Sequence, residues 1–418
     1  MDPAFRLTRR SLLKTLAFTG AAALPGARLA LAAIGGDDRA RLVLVILRGG
    51  WDGLAVVVPR GDPAYASARG ALALTGEDGL HKLDDVFALH PHLGTLASWY
   101  GARQLLPVQA VATAYRERSH FDAQDLLEGG GTRPHKLATG WLNRALTAKS
   151  PGSALVLGSA LPLSARGDHP FETWAPDPLP DLDPVLVERL RELYAPDPLF
   201  AGVLERALGT EDMAGASGGD MTGPVRGATA LRDLAEAAGR FLATPQGPAV
   251  AVLEAGGWDT HADQGTVKGP LASRLALLDG ALGGLKSQAG KAWSRTLVAV
   301  VSEFGRTVKP NGSRGTDHGT ATCALLAGGA VNGGRVLADW PGLGASALYE
   351  GRDLRPTTDL RGVLKGVLRD HLGVAAAPLD RTVFPGSERI AAADGLIATP
   401  LSRDSAAGRS SAWPDKSA

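Results

Sequence analysis

Acidic and histidine side chains recur in this chain wherever an apolar run stops. Asp52 follows Arg41–Leu47 (RLVLVIL) across Arg48-Gly49-Gly50-Trp51. Asp259 and His261 follow Ala249–Glu254 (AVAVLE). Glu303 follows Thr296–Ser302 (TLVAVVS), and Asp317-His318 comes in the next loop. A fifth polar segment, Arg116-Glu117-Arg118-Ser119-His120-Phe121-Asp122, comes after Leu105–Val111. Carboxylates and imidazoles gathered at one place would raise one another's charging cost, and a bound cation removes that cost. Taken singly, an aspartate after a strand usually caps a helix or closes a turn. Asp259/His261 and Asp317/His318 strengthen the joint reading, a shared metal or catalytic site. Ser119 is the best nucleophile candidate, because it precedes a helical pattern that starts at Phe121 and would sit at the positive end of the helix dipole. The same position suits a plain N-cap.

These groups meet only if the apolar runs lie side by side. The runs are short, nearly continuous and rich in β-branched residues, the pattern of buried parallel strands. Cys323–Leu326 starts a fifth run. Between them, Val185–Leu193, Ala228–Ala243 and Leu271–Leu285 carry apolar residues at helical spacing. Alternating strands and helices imply an α/β protein with a mostly parallel sheet covered on both faces. In such sheets ligands bind beyond the carboxyl ends of the strands, where the five polar segments fall.

The N-terminus addresses the chain for export. Thr8-Arg9-Arg10-Ser11-Leu12-Leu13-Lys14 precedes an apolar stretch from Thr15 to Leu24, and Ala30-Leu31-Ala32 offers the small-x-small cleavage pattern. This reads as a twin-arginine signal peptide over residues 1–32, with the twin-arginine translocase as transient partner and a periplasmic or secreted product. Pro25 and Gly26 interrupt the apolar run, which argues against a permanent membrane anchor. Residues 33–401 read as a single domain with a flexible loop near 209–227, and 402–418 as a polar, disordered tail. The signal carries Arg6, Arg9, Arg10, Lys14 and Arg28 against Asp2. With +1 over the whole chain, the remainder is near −3, which excludes a broad nucleic-acid surface. Cys323 is the single cysteine, so no internal disulfide forms. Gly215-Ala216-Ser217-Gly218-Gly219 matches a nucleophile-elbow string but lies in a low-complexity stretch without the required strand before it. Trp51, Trp99, Trp141, Trp258 and Trp340 read mainly as core or cleft-wall residues.

The motifs Leu47–Leu54, Arg118–Asp125, Trp258–His261, Ser302–Thr307 and Gly315–Thr320 occur in an order that resembles a family of twin-arginine-exported bacterial proteins known as domain of unknown function fifteen-zero-one. That family is similar to the alkaline phosphatase and sulfatase superfamily. The resemblance implies a three-layer α/β/α sandwich and a divalent metal (zinc, calcium, magnesium or manganese). It implies Asp52, Asp259, His261, Glu303 and His318 as ligands and Ser119 as nucleophile. Phe304 stands where the superfamily carries a histidine, so one metal site is weakened, lost or rebuilt with Asp317. The formylglycine motif C-x-P-x-R is absent after Cys323. The expected activity is hydrolysis of phosphate or sulfate esters, with Arg48 or Arg306 holding the anionic ester. Two rivals remain: a non-catalytic envelope binding or assembly protein that keeps a partial site, and a metal-free serine esterase.

Overall fold

A computed structural model of the chain describes residues 39–149, 152–158, 160–175, 184–216 and 230–398. The signal segment, most of the stretch read as a flexible loop and the tail lie outside these. β1 (Arg41–Leu47) is buried along its full length, and its alternate side chains face opposite ways, as the strand's period of two requires. Val43, Val45 and Leu47 join one apolar cluster with Phe241, Leu275 and Leu282, from the helices Ala230–Ala243 and Pro270–Ala289. Leu42, Leu44 and Ile46 join another with Leu142, Val363 and Val367, from Trp141–Lys149 and Leu360–Asp370. A helical layer on each face makes the α/β/α sandwich. It also explains why the run reads as continuously apolar, since neither face meets water.

The other strands follow in chain order: β2 (Val57–Val58), β3 (His81–Lys82), β4 (Ala88–Leu89), β5 (Leu105–Ala112), β6 (Ala154–Leu157), β7 (Phe171–Trp174), β8 (Val250–Ala255), β9 (Thr296–Ser302), β10 (Thr322–Ala327) and β11 (Thr358–Asp359). Eight form the main sheet in the order β11-β5-β10-β9-β1-β8-β6-β7, and β2-β4-β3 form a small one. β1 pairs in parallel with β8 and β9, with Leu44 opposite Val252 and Ala299. β6 joins β8 and β7 in parallel. β10 runs antiparallel to both β9 and β5. Reversing β10 has a direct consequence: the loop from the end of β9 to the start of β10 begins and finishes at the same edge. Glu303 and His318 therefore share that edge with the segments after β1, β5 and β8.

The helix Pro184–Tyr194 matches its periodicity closely. The helix Pro198–Ala216 differs from expectation, running through the first part of the glycine-rich stretch read as a loop from residue 209. Ala207, Leu208 and Ala216 favour helix over the intervening Gly209 and Gly215. Gly215 and Ala216 of the elbow string thus end a helix. Among the described residues no helix is long and apolar enough to cross a membrane.

Candidate metal centre

Three imidazoles and one carboxylate meet at the carboxyl edge of the sheet. His318 Nε2 lies 2.9 Å from His120 Nε2 and 2.9 Å from His261 Nε2. Asp259 Oδ1 lies 3.0 Å from His261 Nε2 and 3.3 Å from His318 Nε2, and Asp259 Oδ2 is 3.4 Å from His120 Nε2. His120, Asp259 and His318 form a group whose ligand atoms all lie within 4.8 Å of one another. His261 touches two of those three.

The far side of each ring is backed by an acceptor. His120 Nδ1 is 2.9 Å from Glu303 Oε1, His261 Nδ1 is 3.1 Å from Asp317 Oδ1, and His318 Nδ1 is 2.9 Å from the Arg118 carbonyl. A carbonyl only accepts, so His318 Nδ1 carries a hydrogen and its Nε2 offers one lone pair. One lone pair cannot serve two donors at 2.9 Å, whereas a shared cation satisfies all the inward-facing atoms together. Imidazoles backed by carboxylate or carbonyl are the usual setting of metal-binding histidine. Donors around a tetrahedral ion at about 2.0–2.1 Å stand roughly 3.3–3.4 Å apart; His120, Asp259 and His318 are close enough to one another to share one ion, and His261 adjoins Asp259 and His318. The residues therefore fit a divalent ion.

Local backbone places these groups. Arg118 has φ 64°, in the left-handed region disfavoured for residues with a Cβ. That turn holds its carbonyl against His318 while Ser119 and His120 open the helix His120–Gly129. The Arg118 side chain is fixed by Asp353 at 2.9 Å and by Glu350 at 2.5 Å. Gly49, at φ 124°, brings its chain so close that a Cβ would stand 2.5 Å from the Asp259 amide nitrogen. Its own amide donates to Glu303 Oε1 at 2.8 Å.

Charge follows the geometry. Burial would lift the Asp259 carboxyl, but the Arg306 hydrogen bond and charge, with His261 and His318, outweigh it and hold the group below its ordinary value. Glu303 behaves alike: burial lifts it, while hydrogen bonds from His120, Gln124 and the Gly49 amide bring it down. The bond to Glu303 raises His120 above the usual histidine value despite burial. Burial, with His120 nearby, lowers His318. The Asn311 hydrogen bond, then His261, lowers Asp317.

The sequence-derived candidates sort into three groups. Asp259, His261 and His318 contribute the convergent atoms. Glu303 and Asp317 stand one shell outward, orienting His120 and His261. Asp52 is engaged elsewhere. Its carboxylate takes hydrogen bonds from Arg69, from Gln264 Nε2 at 2.7 Å and from the Leu54 amide at 3.2 Å, and is almost fully buried. Both proposed anion clamps are likewise committed. Arg48 pairs with Glu128 at 2.8 Å and with Glu254. The buried Arg306 pairs with Asp259 and donates to Thr316 Oγ1 at 3.1 Å. Ser119 occupies the N-cap position, yet its side chain makes no capping hydrogen bond.

His120, Arg69 and Gln264 were missed as functional positions. His120 sits inside a motif read for its serine. A hydrogen bond needs it to face Glu303, which lies 183 positions away, and no local pattern signals that. Phe304 stands where the resemblance implied a histidine, and its ring packs against His120 and His318 at centroid distances of 4.7 and 5.1 Å. His120 thus supplies an imidazole where the Phe304 position supplies none. Trp51 and Trp258 are buried, crossing edge-to-face at 5.8 Å.

A sandwich with a histidine-rich, metal-fitting centre at its strand ends is the class that fold and site define. Residues 216–382 match the family model described as "Protein of unknown function (DUF1501)", so the family resemblance read from the motifs is shown over that stretch. It contains the segments of Asp259, His261, Glu303 and His318. No curated protein matches the sequence. Among solved structures, the chain is similar to a 2-O GAG sulfatase at 11% identity and a TM-score of 0.39, covering 81% of this chain and 74% of the other. It is similar to the phosphonate monoester hydrolase of Agrobacterium radiobacter at 12% identity and a TM-score of 0.35, covering 82% and 77%. It is also similar to the C-terminal periplasmic domain of EcEptC from Escherichia coli, in complex with Zn, at 9% identity and a TM-score of 0.35, covering 70% and 75%.

Proposed function

We propose that this chain is an exported, metal-dependent hydrolase of phosphate or sulfate esters, with Ser119 as nucleophile. The observation that carries the reading is the convergence of three Nε2 atoms on one carboxylate, each ring backed on its other side. His120, Asp259, His261 and His318 would hold one ion. Three imidazoles with one carboxylate suit zinc or a similar first-row ion better than calcium or magnesium, which prefer all-oxygen surroundings. When bound, such an ion polarises an ester oxygen and favours a charged nucleophile. Ser119 adjoins His120, and its hydroxyl is not spent on capping the helix. Asp52 joins no ion in this reading, because Arg69 already neutralises it. Export rests on the twin-arginine pattern of residues 1–32.

One observation favours a non-catalytic binding or assembly protein instead: Arg48 and Arg306 are both held by carboxylates and offer no free fork to an anionic ester. Metal analysis of the purified protein, with assays on aryl phosphate and aryl sulfate before and after chelation, decides between them. The enzyme reading expects about one equivalent of divalent metal and an activity lost with it. Bound metal with no turnover of any ester selects the rival. A protein that takes up no metal and cleaves no ester also selects the rival, whereas ester cleavage without metal selects a metal-free serine esterase.

A further inference from the structure

The opposite edge of the sheet carries a second opening. Gln104 precedes β5, Trp293 and Ser294 precede β9, and Gly329 follows β10. With Arg103 and Lys291 they line a cavity of about 490 Å³, within the roughly 300–1,000 Å³ usual for small-molecule sites. The 7 residues of β9 run from this edge to the metal centre, a separation of about 20 Å.

One polar group here is fixed in direction. Gln104 Oε1 lies 3.1 Å from Lys286 Nζ and 3.0 Å from Trp293 Nε1. Both partners only donate, so the atom they meet is the amide oxygen. That leaves the Gln104 NH2 group, two donors, without an acceptor among the described residues, and it is not sealed from solvent. Trp293 forms a wall whose N–H is already committed to Gln104, so it offers the cavity an apolar surface.

The charges are of one sign. Arg103 and Lys291 line the cavity, and no carboxylate does. Arg103 donates from Nη2 to Asn332 Oδ1 at 3.3 Å. Lys286 stands behind Gln104, its ammonium 5.0 and 5.5 Å from the Trp99 and Trp293 ring centres, and burial lowers it. From Gly280 to Thr296 the chain carries Lys286, Lys291 and Arg295 and no acid. Asp279, just before, is turned onto the Thr95 and Leu96 amides at 3.0 Å. Cations withdrawn from water call for a counter-charge, and a bound anion supplies it.

We propose that this cavity binds a monosaccharide-sized organic anion, a sugar acid or sugar phosphate. Its charged group meets the Gln104 NH2, Lys291 and Arg103, and its ring lies on Trp293. The site is separate from the metal centre and independent of ester hydrolysis.

Calorimetric titration of the purified protein with glucuronate, which holds no ester, and with glucose tests this. Glucuronate should bind with Kd of about 1 mM or tighter, and glucose should give no measurable heat. Gln104→Glu keeps an oxygen for Lys286 and Trp293 and puts negative charge where the NH2 group stood. It should weaken glucuronate binding about tenfold or more. Lys291→Ala, on an exposed side chain that the fold does not need, should weaken it in the same direction. Asp259→Asn, which alters only the metal centre, should leave Kd within about twofold. Titrating Asp259→Asn with glucose 6-phosphate separates the two head groups: tighter binding than glucuronate selects phosphate, weaker binding selects carboxylate. Affinity that survives Gln104→Glu and Lys291→Ala but disappears in Asp259→Asn would place the anion on the metal centre and overturn the proposal. So would glucose binding as tightly as glucuronate, or no binding of either anion. None of these readouts is turnover, so they stand whether or not the protein cleaves an ester.

Discussion

Replacing Glu303 by glutamine separates a residue that orients a ligand from one that is a ligand. Glu303 Oε1 accepts from His120 Nδ1 at 2.9 Å, the Gly49 amide at 2.8 Å and Gln124 Nε2 at 3.0 Å. Oε2 meets Ser302 Oγ at 2.9 Å, and that hydroxyl also reaches the Leu47 carbonyl at 2.6 Å. A glutamine with its oxygen at the Oε1 position keeps the first three bonds. Its amide group then donates to Ser302 Oγ, which passes its own hydrogen to Leu47. Shape and hydrogen-bond count survive, so the change is the loss of one buried charge behind His120. Losing such a backing charge typically weakens metal affinity about 10–100-fold, or about 1.4–2.7 kcal/mol. Competition with a chromophoric chelator measures it, with metal-free thermal unfolding as the control for the fold. A loss as deep as that of His120→Ala would make Glu303 a direct ligand. An affinity within twofold of wild type would refute its orienting role.

Three further outcomes are expected. Arg69→Met strands the buried Asp52 carboxylate and should cost about 3–5 kcal/mol in urea unfolding; a cost under about 1 kcal/mol would mean that water or another cation reaches Asp52. Asp259 is held below its ordinary 3.8 in the fold, so in metal-free protein it stabilises above about pH 4 and that contribution fades as pH falls towards the lower folded value. Asp259→Asn should flatten the fall of Tm with acid below pH 4, and an unaltered slope would contradict the shift. Changing Arg9 and Arg10 together to lysine should leave the protein in the cytoplasm, read by fractionation, because twin-arginine export reads both guanidinium groups; normal export would refute the signal.

Much of this architecture was legible because burial writes itself into composition. β1 and β9 were bounded correctly since both faces of each are covered, making their runs unbroken. β6 and β7, four residues each, fell below the length at which an apolar run stands out. Asp259, His261 and His318 were readable because they sit directly beyond strands or in the loop between two of them. The roles of Glu303 and Asp52 were not, for they depend on what faces them. Glu303 is turned toward His120, and Asp52 meets Arg69, 17 residues further on in a short helix. A carboxylate's partner, whether ion or guanidinium, leaves no periodic trace in the chain.

The pairing of Asp52 with Arg69 also bears on the order of events in the cell. Several acidic groups at one sheet edge ordinarily make a protein wait for its ion before it settles. Here the innermost of them is neutralised by the chain itself, and Gln264 ties Asp52 to Thr316 at 2.6 Å. Thr316 in turn meets Arg306, the partner of Asp259. The scaffold around the pocket can therefore be complete while the pocket awaits its ion. If the site takes an ion as proposed, the fold around it can form first and the ion can arrive afterwards.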